Sequence, residues 1–318
     1  MYKLFKKELS VRVYASEETR EALPFSRLIP ALENMFKHGC TVPRRHIHDI
    51  GTPEAPLTTL IMPAWSDAGF MGIKTVNIAP NNASRSLPGL FSTYTLYNRD
   101  TGEPVAQVDG NEITSRRTAA ASALAAKFLA SPFSSRLTLL GAGRVGSLIP
   151  YAYREVLPIE EVTVWDINPP ASERLVMQLN QDGFKARVVE DLQVAVGWAD
   201  AVTCATLSTQ PLVKGAWLSP GSHLDLIGSF TPSMREADTD AVVANALFID
   251  TEEALEKSGD LIQPIQLGAL SPDAVIGTLE DLCLRRCPTR SSQQEGTVFK
   301  AVGTALEDLA AAMLVYQS

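Results

Sequence analysis

Three observations predict an α/β chain built in two parts. A Gly-x-Gly-x-x-Gly run, Gly141–Gly146, lies between a short apolar run and a helical segment. From about residue 137 onward, short apolar runs alternate with helical segments, as βαβ units require. Before residue 112, strand-like runs follow one another without helices, which suggests an antiparallel sheet. A length of 318 residues suits two domains of ordinary size.

Taken in order, Leu28, Ile29, Leu32, Met35 and Phe36 fall at helical spacing across residues 24–37, and Gly39 follows as a stop. Strand-like runs then cover 41–48, 57–62, 71–78, 91–97 and 105–108. The turn sequence Asn98–Gly102 joins the last two as a hairpin. The pattern changes at Ile113. Residues 114–130 are Ala-rich and poor in charge after Arg117, which reads as a largely buried helix. Apolar strands are expected at 137–140, 162–165, 186–189, 201–205 and 223–227, and the final stretch, 297–316, reads as a helix. Pro150 falls within the helix after the glycine run and should distort its second turn. The domain boundary falls near 112–120.

Lys plus Arg number 28 and Asp plus Glu 36, a formal net charge of −8. An acidic chain without a basic stripe argues against binding phosphate backbones of nucleic acids, while local Arg or Lys clusters leave small anions open. Cys40, Cys204, Cys283 and Cys287 are too few and scattered for a disulfide framework, and the Cys283-x-x-x-Cys287 pair has no second ligand pair for a metal. No apolar leader opens the chain and no run reaches the length of a membrane span, so a cytoplasmic location is expected.

The glycine run carries the most chemistry. Gly141 permits a tight turn, Gly143 lets a pyrophosphate approach the backbone, and Gly146 lets helix and strand pack closely. With Arg144 and Val145 between them, these residues form a Rossmann-type dinucleotide cradle at a helix N-terminus. Asp166 ends the following strand, where a carboxylate accepts from both ribose hydroxyls of NAD and repels the 2′-phosphate of NADP. NAD is therefore the expected cofactor, with NADP as the alternative. Thr206 and Gly228, at the ends of the strands 201–205 and 223–227, complete the expected cofactor set.

Substrate signals come from cations in apolar settings. Lys74 interrupts the apolar strand Phe70–Ile78, and Arg117 opens the Ala-rich helix, where a charge needs a partner. Arg suits a bidentate grip on a carboxylate and Lys offers a compact ammonium. Met62-Pro63, Gly72-Ile-Lys74-Thr-Val-Asn77, Asp100-Thr-Gly102-Glu-Pro104, Ile113-Thr-Ser-Arg-Arg117-Thr-Ala-Ala120, the glycine cradle, Gly221–Gly228 and Thr297–Gly303 follow in a distinctive order. In these segments the chain resembles the ornithine cyclodeaminase/mu-crystallin family, from about residue 41 to the C-terminus.

The resemblance implies a Rossmann NAD(P)-binding domain, 119–296, joined to an α+β dimerisation and substrate domain, 1–118, which the returning segment 297–318 completes. It implies a homodimer and a small amino- or imino-acid substrate, with Arg45, Lys74 and Arg117 holding the substrate carboxylate. Arg44 is the alternative to Arg45, if the match shifts by one residue. Family members include ornithine cyclodeaminases, alanine dehydrogenases, cyclic imino-acid reductases and a ligand-binding lens protein.

One departure separates these activities. The cyclodeaminase pattern carries a proton-accepting Asp after the fifth strand, and this chain reads Gly228-Ser-Phe230-Thr-Pro-Ser-Met-Arg-Glu236 there. Phe230 cannot exchange a proton, whereas oxidising an α-ammonium group requires a base. The substitution favours reduction of a cyclic ketimine, pyrroline-2-carboxylate to proline. A base supplied by Asp225 or His223 would instead leave an ornithine cyclodeaminase or an alanine-type dehydrogenase. A non-catalytic NAD(P)-dependent binding protein is a further alternative. His46 and His48 alternate on one face of a strand, where structural histidines are common.

Overall fold

A computed structural model describes residues 11–318, which divide into two compact units. The first comprises the described residues up to Pro24, His38–Thr114 and Ala305–Ser318; the second comprises Phe25–Lys37 and Ser115–Thr304. The chain is α/β, with mixed strands in one unit and parallel strands in the other. Among the described residues, no helix is long and apolar enough to cross a membrane.

The first unit carries β1 (Arg12–Tyr14), β2 (His46–Asp49), β3 (Thr58–Trp65), β4 (Phe70–Ile78), β5 (Leu90–Asn98) and β6 (Pro104–Asp109). Their order is β1-β6-β5-β4-β3-β2; β2 to β6 form an antiparallel meander, and β1 joins β6 in parallel. Alternation decides which side is covered. Gly72, Lys74 and Val76 of β4 are buried, while Met71, Ile73 and Thr75 between them are half-exposed. The helix Ala305–Tyr316 packs on β3, β4 and β5. Gly72 is required by close approach: a Cβ there would run into the Tyr94 ring. The expected strand 41–48 shortens to His46–Asp49 with a separate bridge at Thr41, and the stacked His46 and His48 rings are exposed.

The second unit holds β7 (Arg136–Leu140), β8 (Glu161–Trp165), β9 (Lys185–Val188), β10 (Ala201–Cys204), β11 (His223–Leu226), β12 (Ala246–Ile249), β13 (Val275–Thr278) and β14 (Thr297–Lys300). All pair in parallel, in the order β13-β12-β14-β11-β10-β7-β8-β9. β10, β11, β12 and β14 are buried at every position, as strands covered on both faces are. Strand order reverses at β7, between β8 and β10. The C-terminal end of β7 is thus the switch point at which open α/β sheets bind ligands.

Four expectations require correction. Thr297–Lys300 is a strand and the terminal helix begins at Ala305; four residues have no period that separates strand from helix, and Thr, Val and Phe favour the strand. The short strands β12 and β13 escape a periodicity argument for the same reason. The helix Phe25–His38 belongs mainly to the second unit, because Arg116 lies over the Phe25 ring at 4.6 Å and Lys127 bonds Glu33 at 2.7 Å. The helix expected from residue 114 starts at Gly110, with the Asp109 carboxylate accepting from the Glu112 N–H at 2.8 Å, and the unit boundary falls inside it. Pro150 does not distort a second turn: a single 3-10 turn, Gly146–Leu148, precedes the helix Ile149–Arg154, and Pro150 sits in that helix's first turn, where a missing N–H leaves no bond unmade.

Candidate functional site

In the second unit the candidate cofactor residues converge on the ends of β7, β8, β10 and β11. Gly141 turns with φ +99°, and a Cβ there would meet the Ala205 carbonyl. At Gly146 a Cβ would strike the Gly141 carbonyl oxygen, whereas Gly143 opens onto space with nothing within 4 Å. Arg144 is exposed and Val145 half-buried. Among the described residues, no backbone group accepts from the N–H of Gly143, Arg144 or Val145. A tight turn, an open face and undirected donors form a cradle that fits an anion such as a pyrophosphate. Asp166 is tied to this cradle: one oxygen accepts from the Ala142 N–H at 2.7 Å and the other from the Asn168 N–H at 2.8 Å. Ile167 and Leu207 stand exposed beside Asp166 and Thr206, presenting apolar surface at the same strand ends.

Thr206 and Gly228 are held by one side chain that lies outside the sequence motifs. Glu236, fully buried, accepts from the Thr206 N–H at 2.7 Å and hydroxyl at 2.8 Å through one oxygen, and from the Gly228 N–H at 2.6 Å through the other. A Cβ on Gly228 would collide with the Thr206 carbonyl and with Glu236 itself. Burial pushes the Glu236 carboxyl up to about 7, against the opposing pull of Lys300. Asp250, whose carboxyl is also raised by burial, accepts from the N–H groups of Val302 at 2.7 Å and Gly303 at 2.6 Å. Gly303, at φ +78°, lies so close to the Arg117 guanidinium that a Cβ would overlap it. Arg117 is 6% exposed in this setting.

The two candidate bases on β11 are enclosed. His223 is fully buried, and its imidazole is pushed down to about 3 by burial and by the Arg290 charge. The Thr297 hydroxyl donates to the Leu129 carbonyl at 3.1 Å, so the His223 Nδ1 that meets it at 2.9 Å carries the proton. Asp225 is equally buried; burial raises its carboxyl to about 6, and the Tyr153 hydroxyl donates to it at 3.0 Å. Neither side chain reaches solvent, and the polar partners of both lie inside the sheet unit. Phe230 is 46% exposed in the loop after Gly228.

The first unit contains the other cations. Lys74 is 2% exposed on β4, with its ammonium 2.7 Å from the Asp308 carboxylate and 3.3 Å from the Thr114 hydroxyl. Asp308 comes from the helix Ala305–Tyr316 and is fully buried. Arg45 is half-buried and Arg44 exposed, both on the approach to β2 rather than within it. Glu236, Asp250 and Asp308 are the buried acids that the motifs do not point to. For Asp308, the signal that found Lys74, a charge inside an apolar run, was present. Glu236 lay in a polar segment that reads as surface. Among the described residues, no group of His, Cys, Asp and Glu is arranged to hold a metal ion, and the four cysteines form no disulfide.

A model of the ornithine cyclodeaminase/mu-crystallin family matches residues 18–318. A Delta(1)-pyrroline-2-carboxylate reductase of Paracoccus denitrificans is 40% identical over 278 residues, covering 86% of this chain and 87% of that protein. The enzyme of the same name from Colwellia psychrerythraea is 34% identical over 315 residues, or 96% and 99% of the two chains. The structure of Thermococcus litoralis Delta(1)-pyrroline-2-carboxylate reductase in complex with NADH and L-proline superposes with a TM-score of 0.91 at 29% identity, covering 96% of this chain and 97% of that one.

Proposed function

Since the chain belongs to the ornithine cyclodeaminase/mu-crystallin family, we propose that it is a ketimine reductase that converts pyrroline-2-carboxylate to proline at the expense of NADH. The observation that carries the reading is the lack of a usable base at the end of β11: Phe230 stands in the loop, and His223 and Asp225 are shut inside the sheet. Removing hydride from an α-amino acid begins with loss of a proton from nitrogen, so a loop without a base disfavours deamination. Reduction of an iminium carbon needs orientation and a compensating charge instead.

The Gly141, Gly143 and Gly146 turn, with Arg144 and Val145, holds the cofactor pyrophosphate, and Asp166 takes the adenosine ribose hydroxyls. Ile167 and Leu207 cover the adenine, and Thr206 and Gly228 border the nicotinamide half. When bound, NADH supplies the hydride that reduces the imine carbon. Arg117, Arg45 and Lys74 grip the substrate carboxylate, Arg as a planar fork and Lys as a point charge. The Lys74 ammonium also donates the proton that the imine nitrogen takes up on reduction, becoming the neutral amine until solvent returns the proton. Phe230 supplies an apolar wall that suits a ring better than a second amine.

The same reading makes the protein a cytoplasmic homodimer. Ile61, Pro63, Met71 and Ile73 lie half-exposed on the outer face of the β3–β4 pair, a surface suited to an isologous contact. Light scattering of the pure protein checks the dimer. The activity is tested by incubating the protein with pyrroline-2-carboxylate and NADH, and separately with ornithine and NAD. NADH oxidation with proline formed in the first, and no ammonia in the second, is expected. Ammonia and proline from ornithine, with no NADH oxidation in the first, would overturn the proposal.

A further inference from the structure

Behind the cofactor loops, the second unit buries a chain of charged side chains that the reaction itself does not use. Glu236, Asp260 and Lys300 are all fully buried, and Asp250 is 2% exposed. Asp260 accepts from the backbone N–H of Glu236 at 2.8 Å and of Ala237 at 3.1 Å, which fixes the Glu236 main chain. Its second oxygen stands 3.5 Å from the Lys300 ammonium on β14. The Ser229 hydroxyl donates to the Met234 carbonyl at 2.6 Å and meets the Ser258 hydroxyl at 2.9 Å, closing the loop between Gly228 and Glu236. Glu236 is therefore held from behind and reaches forward to two separate strand ends.

We propose that Glu236 is a positioning residue that sets the spacing of the Thr206 and Gly228 loops, and hence the fit of the nicotinamide half of the cofactor. The proposal rests on the reading of Thr206 and Gly228 as cofactor residues. Its geometric ground is the donor pattern. Two backbone N–H groups and one hydroxyl point at the two carboxylate oxygens, and the N–H groups cannot act as acceptors. A carboxylate satisfies all three. An amide of the same length turns an NH2 toward the N–H of Thr206 or of Gly228 and forces those loops apart. A carboxylate one methylene shorter cannot span them.

The same pattern predicts a link to protons. Protonated Glu236 has the defect of the amide, a donor facing a donor. The charged or titratable groups facing it are Lys300 on β14, Asp260 on the helix Gly259–Gln266, and Cys204 on β10, with Asp250 next to Lys300. Burial has already raised the carboxyl to about 7. Cofactor affinity should thus fall as the pH drops through neutrality.

The test is an NADH fluorescence titration of the full chain and of its Glu236→Gln and Glu236→Asp variants across pH, with thermal unfolding and steady-state kinetics alongside. The expected result is about ten- to hundredfold weaker NADH binding in Glu236→Gln, the scale of a lost charge-assisted hydrogen bond. KM for NADH should rise more than kcat falls, and the affinity of the variant should no longer vary with pH near neutrality. Glu236→Asp, which keeps the charge, serves if the Gln variant does not fold, and should also bind weakly. Unchanged affinity in a folded variant, or a loss of thermal stability alone, would overturn the proposal. If the parent protein binds no NADH, the cofactor reading fails instead.

Discussion

Replacing Lys74 with Met tests whether the buried ion pair of the first unit has both a structural and a chemical role. The ammonium lies 2.7 Å from Asp308, and the two side chains are 2% and 0% exposed. Met keeps the length of the chain and removes the charge, so the buried Asp308 carboxylate loses the Lys74 ammonium. Breaking one side of a buried pair destabilises by about 3–5 kcal/mol. For domains of this size each kcal/mol lowers Tm by about 2–4 °C, so a fall of about 6–20 °C follows. Replacing Asp308 with Asn in the same chain removes the stranded charge, and the double variant should regain at least about 2 kcal/mol over the sum of the single changes. Denaturant unfolding of the parent, Lys74→Met, Asp308→Asn and the double variant measures this coupling. Activity separates the second role: the double variant should remain inactive toward pyrroline-2-carboxylate although its stability has returned. Additive stability changes would refute the pairing, and activity in Lys74→Met would refute the assigned chemistry.

Three other outcomes are expected. His223 has a folded-state pKa lowered from 6.5 to about 3, so between these values the unfolded chain binds the extra proton and stability is lost as pH falls. Its contribution at about pH 4.5 is a loss of about 3 kcal/mol; NMR of the imidazole should show it neutral from about pH 8 to about pH 4, and titration near the ordinary histidine value would contradict this. Gly303→Ala forces a Cβ into the Arg117 guanidinium and an L residue into φ +78°, so it should destabilise by about 1–3 kcal/mol. It should raise KM for the imino acid while leaving NADH binding intact; an unchanged KM would detach Arg117 from the substrate. Asp166→Ser removes the carboxylate that repels a 2′-phosphate and should move the kcat/KM ratio at least about tenfold from NADH toward NADPH; no change in the ratio would remove Asp166 from the ribose site.

The parts legible from residues are those whose chemistry is local. Gly141, Gly143 and Gly146 could be given separate roles because each role follows from backbone geometry over a few residues, and the structure gives each a different surrounding. Lys74 and Arg117 stood out as charges in apolar runs. Their counterparts were hidden, because nothing near Lys74 in sequence names Asp308, and only the return of the last helix brings the two together. β14 was misread for a similar reason: Thr297–Lys300 is a strand because β11 and β12 flank it, not because four residues carry a period. His223 and Asp225 show the opposite limit, since residue type suggested a base and burial withdrew it.

The acidic balance of the chain also has a different meaning in three dimensions. A net charge of −8 would oppose an anionic cofactor and an anionic substrate if the carboxylates faced them. Five of the 36 acids instead serve as fasteners for turns at strand ends. Asp166 takes the N–H groups of Ala142 and Asn168; Asp200 takes those of Ser135 and Arg136; Asp250 takes those of Thr251, Val302 and Gly303. Asp260 and Glu236 do the same for the loops after β10 and β11. Parallel strands end in turns whose N–H groups have no ladder partner, and a carboxylate can accept from two or three of them. Asp166, Asp250, Asp260 and Glu236 therefore hold loops at the C-terminal ends of the strands, and Asp200 holds the start of β7, with backbone N–H groups taking up part of their charge. On the proposed reading, Arg45, Lys74 and Arg117 are then the charges that decide what an anionic substrate meets.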